Sequence, residues 1–130
     1  GAYSAFPWWD HLTHIFGTLS IVLIAGYLIR LYFLSQNSKV HTIMVWLFAC
    51  SIGIVAGVGV ELYEFSGYKW FFTIDQGGYD NTLWDLTYDT LGSVLGATIG
   101  GVASVFGIHK QSMESSIEAY FKNHEKRKSK

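Results

Sequence analysis

Between His14 and Arg30, between Thr42 and Val60, and between Thr90 and Ile108 the chain carries no charged side chain. Each run comes close to the roughly 20 apolar residues that a helix needs to cross the hydrocarbon of a bilayer. A core helix of a soluble protein shows a polar stripe along its length, and the middles of these runs show none. The pattern predicts an all-α integral membrane bundle of three transmembrane helices, over about 9–34, 40–65 and 83–108. Only 15% of the residues are charged, against about 25% in an ordinary soluble domain. With 130 residues there is room for one domain. The expected division is a transmembrane domain over 1–108 and a basic cytoplasmic tail over 109–130, with a short helix in its first part. No basic n-region and no cleavable signal pattern precedes the first apolar run.

The polar connections set the orientation. Three spans put the Ser35–Lys39 loop and the C-terminal tail on one side. Of the nine Lys and Arg residues, all but Lys69 fall there, ending in Lys126-Arg127-Lys128-Ser129-Lys130. Basic residues accumulate on the cytoplasmic side of membrane proteins, so the C-terminus is expected inside and the N-terminus outside. The second connection, Ser66–Thr82, is rich in Gly, Tyr, Trp and Phe. Its Tyr68–Phe72 piece is expected to lie along the interface, where aromatic rings are favoured, as are Trp8 and Trp9. The lone Cys50 lies in an apolar run, which excludes a disulfide frame and a Cys-based metal motif.

The unusual chemistry gathers at the opposite, outer edge. Asp10 and His14 begin the first helix, Glu61 and Glu64 end the second, and Asp85 and Asp89 begin the third. Each pair is spaced i, i+3 or i, i+4, so its members share a helix face. Each face continues into glycines: Gly17, then Gly53 and Gly57, then Gly92, Gly96 and Gly100. Small residues four apart let membrane helices approach closely, so the three polar pairs are expected to meet. Intramembrane charges face the bundle interior and find partners. Lys69 is the one nearby cation of the Lys or Arg type, and crowded carboxylates in low dielectric repel. A divalent cation removes that problem. Carboxylate with imidazole suits Zn, Mn, Fe or Cu, and carboxylate alone suits Mg, Ca or Mn. Asp10, His14, Glu61, Glu64, Asp85 and Asp89 are therefore the candidate metal residues.

Simpler readings stand beside this one. Asp10 and Asp85 suit a cap or a favourable place near a helix N-terminus. His11 falls off the shared face and reads as solvated or packed at the interface. Asp75 and Asp80 read as loop acids, and His41, His109 and His124 lie on the other side of the membrane.

Three motifs in order resemble the bacterial inner-membrane proteins called YjdF-like (DUF2238). Trp9-Asp10-His11-Leu12-Thr13-His14-Ile15-Phe16-Gly17 resembles their Asp-x-x-x-His-x-x-x-Gly helix start. Gly59-Val60-Glu61-Leu62-Tyr63-Glu64-Phe65 is similar to their Glu-Leu-x-Glu-aromatic helix end. Gln76–Asp80, with Thr82–Leu86 and Asp89–Gly92, resembles their Gln-Gly-Asp…Asp-Thr…Asp stretch, with the loop shifted to Gly-Gly-Tyr-Asp. That last stretch is also similar, more weakly, to VanZ-like membrane proteins. The resemblance covers about residues 8–100. It implies a common polar constellation of Asp10, His14, Glu61, Glu64, Asp85 and Asp89, and it names no reaction.

Three functions compete. One is a membrane metal site, with metal-assisted hydrolysis or group transfer as its chemistry if it is catalytic. Another is an accessory subunit that pairs with other membrane subunits or with copies of itself. The third, a transporter or proton relay, needs acids in the inner halves of the helices, and there are none there. A nucleic-acid role has no support, because the basic tail beside a span answers to anionic lipid.

Overall fold

The computed structural model describes residues 8–36, 41–71 and 77–106. These form three long helices: α1 (Trp8–Ser35), α2 (Thr42–Ser66) and α3 (Tyr79–Val105). A π-helical segment, Gly67–Phe71, extends α2. At about 1.5 Å per residue the three helices are about 38–42 Å long, more than the ~30 Å of a bilayer's hydrocarbon. Trp8–Ser35 and Thr42–Phe71 are long and apolar enough to cross a membrane. The third helix matches them in length, but Asp80, Asp85, Asp89 and a run of Gly, Ser and Thr make it less apolar. Each helix packs against the other two. His14, early in α1, meets Asp89, early in α3. Trp46, early in α2, lies against Gly26 and Gly100, late in α1 and α3. So α1 and α3 run parallel, with α2 antiparallel to both.

The bundle is small and polar inside and large and apolar outside. Its buried hydrophobic residues are Val22, Val45, Trp46 and Ala49, and Thr18, Glu61, Asp85, Asp89, Ser93 and Ser104 are buried with them. Phe16, Leu28, Val55 and Leu62 are 57–69% exposed. Water would drive such side chains inward, whereas lipid solvates them where they are. Outward-facing hydroxyls bond to their own helix: Ser20 donates to the Phe16 carbonyl at 2.7 Å, Ser51 to Leu47 at 2.9 Å and Thr98 to Val94 at 2.8 Å. In hydrocarbon there is no water to satisfy them otherwise.

Glycine sets how closely the helices approach, as the spacing predicts for α2 and α3. A Cβ at Gly100 would enter the Trp46 ring, one at Gly53 would meet Val22 and Ser93, and one at Gly92 would meet the Ile15 carbonyl and Thr18. Trp46 fills the far end of the bundle. Its Nε1–H donates to Ser104 Oγ at 3.1 Å, and that hydroxyl donates to the Gly100 carbonyl at 2.7 Å. Gly17 departs from the expected packing face, since nothing lies within 4 Å of the place a Cβ would take. The inward stripe of α1 is instead Thr18, Val22 and Gly26, one position further round the helix.

The helix ends differ from the expected spans. The second helix runs on through Phe71 as a π-helical segment, so Tyr68–Phe71 extend the helix rather than start a loop. The third begins four residues before Leu83, at Tyr79. Gly77 (φ +69°) and Gly78 (φ +88°) lead into it, in a left-handed region that glycine enters at little steric cost. Residues 37–40, Asp75 and the tail over 109–130 lie outside the described residues.

Candidate metal centre

His14 stands one to two turns into α1, where its ring faces all the other helices. Its Nδ1–H donates to Asp89 Oδ1 at 3.1 Å. On the other side of the ring, Nε2 lies 3.9 Å from Asp10 Oδ1 and 3.8 Å from Asp85 Oδ1. The i, i+4 spacing of Asp10 and His14 thus does what helical geometry demands, and α3 brings Asp85 and Asp89 in on both edges of the ring. From α2, the end of the Gly53–Gly57 face supplies Glu61. Asp10, His14 and Asp85 can each offer one ligand atom within 4.8 Å of the others, and so can His14, Glu61 and Asp89.

The acids are deeply buried, with Asp85 0%, Asp89 3% and Glu61 4% exposed. Asp85 Oδ1 and Asp89 Oδ2 have no hydrogen-bond partner. Glu61 is met from α3 by the Thr82 side chain, which hydrogen-bonds to it. An unpaired buried carboxylate is costly by several kcal/mol, and among the described residues the basic side chains within 4 Å of these acids are the imidazoles of His11 and His14. The remaining Asp85 oxygen, Oδ2, accepts a hydrogen bond from Asn81 Nδ2.

Glu64 sits apart. It is partly exposed and lies on the wall of a cavity of about 260 Å³, together with Asp10, Thr13, His14, Gly17 and Asp89. The groups of close ligand atoms do not include it. All the other candidates converge.

A family model described as a predicted membrane protein (DUF2238) matches residues 1–105. The chain belongs to the DUF2238 family. No curated protein and no solved structure matches it, and the VanZ-like similarity gains no support. The DUF2238 match takes in the whole of the bundle and every residue of the acidic and histidine cluster.

Two members of the cluster in this DUF2238 chain were not legible as such. His11, expected to be solvated or simply packed, stacks on Tyr88 with ring centroids 4.3 Å apart. Its Nδ1 lies 3.9 Å from Asp85 Oδ1 and is buried without a hydrogen-bond partner. The i, i+3 spacing of His11 and His14 was the signal for it. Asn81, the partner of Asp85, had a similar signal in its i, i+4 spacing. Asp85 is not a helix-end residue, because α3 begins at Tyr79 and Asp80 occupies the first turn. Asp10 lies within the first turn of α1 rather than capping it.

Proposed function

We propose that this membrane protein crosses the inner membrane three times and holds a divalent cation at its outer edge. Asp10, His14 through Nε2, and Asp85 are the ligands, and Asp89 orients the imidazole. The single observation that carries the reading is Asp85, fully buried, with Oδ1 unpartnered 3.8 Å from His14 Nε2. Two atoms each about 2.1 Å from one cation stand at most about 4.2 Å apart. The His14–Asp85 and His14–Asp10 distances of 3.8 and 3.9 Å fall inside that limit.

The Asp89 hydrogen bond supports the same reading. A ligating histidine usually donates its other ring N–H to a carboxylate or carbonyl, which fixes the tautomer and aims the lone pair. Two carboxylates and an imidazole suit Zn, Mn or Fe. A bound cation would supply Lewis acidity beside the cavity. Glu64, on the cavity wall, is placed to exchange a proton with a group that enters. Orientation rests on the basic residues of the Ser35–Lys39 loop and the tail, which favour the cytoplasm.

Elemental analysis of detergent-purified protein, after dialysis against a weak chelator, tests the site. Near-stoichiometric metal in the parent and its loss in Asp85→Asn is the expected result. Absence of metal from both would reject it.

A second reading, a subunit of a larger membrane assembly, is favoured by an open apolar groove of about 900 Å³ between α2 and α3. Trp46, Leu47, Cys50, Val94, Ala97 and Val102 line it, at the end away from the acids. A stoichiometric membrane partner after gentle solubilisation would support that reading.

A further inference from the structure

The metal assignment uses Asp10 and Asp85, and it leaves a second acidic group on the far side of the His14 ring. Glu61 and Asp89 are 4% and 3% exposed, and Asp89 Oδ2 lacks a hydrogen-bond partner. Asp89 Oδ2 sits over Gly57, where any Cβ would strike it. Gly57 and Asp89 are both walls of the 260 Å³ cavity. The rest of that cavity changes character along its length. Asp10, Thr13, His14 and Glu64 line one end, and Ile21, Ala56 and Val60 belong to its apolar wall. Gly17, Ile21 and Val60 are exposed on the surface of the bundle. The cavity therefore opens sideways between α1 and α2, where Gly17, Ile21 and Val60 reach the surface.

A recess that is acidic inside, apolar at its side and open to acyl chains is matched to an amphiphile with a cationic head. No Lys or Arg lines it, and the charge of a divalent cation there is balanced by Asp10 and Asp85, so the remaining carboxylates, Glu64 and Asp89, favour an ammonium over an anionic head. Its volume is slightly below the ~300–1,000 Å³ of small-molecule sites, which is room for a headgroup and the start of a chain, with the remainder of the lipid in the bilayer. Taking the metal assignment as given for Asp10 and Asp85, we infer that the cavity binds the headgroup of an amine-bearing membrane lipid. The ammonium lies against Asp89 and Glu64, and the chain leaves past Gly17 and Ile21.

Gly17 makes this testable, because a Cβ there meets nothing within 4 Å and a larger side chain would extend into the opening. The probe is an equal mixture of phosphatidylethanolamine and phosphatidylglycerol, with bound lipid read by native mass spectrometry and metal counted on the same preparations. The parent is expected to retain phosphatidylethanolamine in preference. Gly17→Leu is expected to lose that lipid while keeping its metal and its melting temperature, and Glu64→Gln to lose the preference between the two lipids. Equal retention of both lipids by the parent would overturn the inference, as would unchanged retention in Gly17→Leu. Should Gly17→Leu fail to fold, Glu64→Gln decides alone, a kept preference overturning the inference. Lipid preference without metal in the parent would leave this inference standing and reject the metal site. Metal without lipid preference would do the reverse.

Discussion

His14 Nδ1 and Asp89 Oδ1 lie 3.1 Å apart across the α1–α3 interface. A carboxylate only accepts, so Nδ1 holds the proton of that bond, and Nε2 is the edge of the ring turned toward Asp10 and Asp85. In the proposed metal site this contact selects which edge of the imidazole would ligate.

Replacing Asp89 by Asn keeps the shape and removes the charge. Loss of such an orienting partner typically costs 10–100-fold in metal affinity. Asp89→Asn should therefore bind metal about 10–100-fold more weakly in a competition titration with a chromogenic chelator, with helix content by circular dichroism unchanged. Unchanged affinity would remove Asp89 from its orienting role.

Metal that binds the folded bundle alone should stabilise it. At free metal 100-fold above the dissociation constant the gain is about 2.7 kcal/mol. A strong chelator should lower the melting temperature of the parent in detergent. Asp85→Asn should melt at the same temperature with and without chelator, since its ligand set is broken. An equal chelator effect on both proteins would place the metal elsewhere.

Two glycines on α2 separate packing from helix propensity. A Cβ at Gly57 meets the Asp89 carboxylate, whereas one at Gly59 meets nothing within 4 Å. Gly57→Ala should destabilise by about 1–3 kcal/mol through overpacking and weaken metal retention as Asp89 is displaced. Gly59→Ala should fall within about 0.5 kcal/mol of the parent. Thermal melting of the two variants side by side checks both.

At the other end, shape should outweigh hydrogen bonding around Trp46. Ser104→Ala removes the acceptor of the Trp46 Nε1–H, and interhelical hydrogen bonds in membranes average about 0.6 kcal/mol. Gly100→Val forces side-chain atoms into the space of the Trp46 ring and should cost at least about 1–3 kcal/mol. A larger loss of melting temperature in Ser104→Ala than in Gly100→Val would contradict this ordering.

The membrane nature of the chain was open to reading because it depends on local composition. A run such as Thr42–Val60, without a charge, names its solvent wherever it stands. The pairs Asp10–His14 and Asp85–Asp89 were legible for a related reason: i, i+4 spacing on a helix is itself a contact rule. Where helices continued past the expected ends, as through Gly67–Phe71, the aromatic and glycine content of the segment hid its helical state.

Other features depend on how the helices are rotated about their own axes. The sequence shows Gly17 in register with His14, but rotation of α1 turns Thr18, Val22 and Gly26 inward and leaves Gly17 at an open cavity. The same rotation brings His11 against Tyr88 and Asp85. The rotation of α2 likewise separates Glu64, partly exposed, from Glu61, buried one turn earlier.

By itself, then, the sequence determined the solvent, the helices and the faces on which the acids stand, because hydrophobicity and helical period are properties of neighbours along the chain. Tertiary structure alone decided which acids meet which edge of His14 and which are left unpaired. Those outcomes follow from steric fit among Trp46, Gly26, Gly53 and Gly100, and no single helix carries that information.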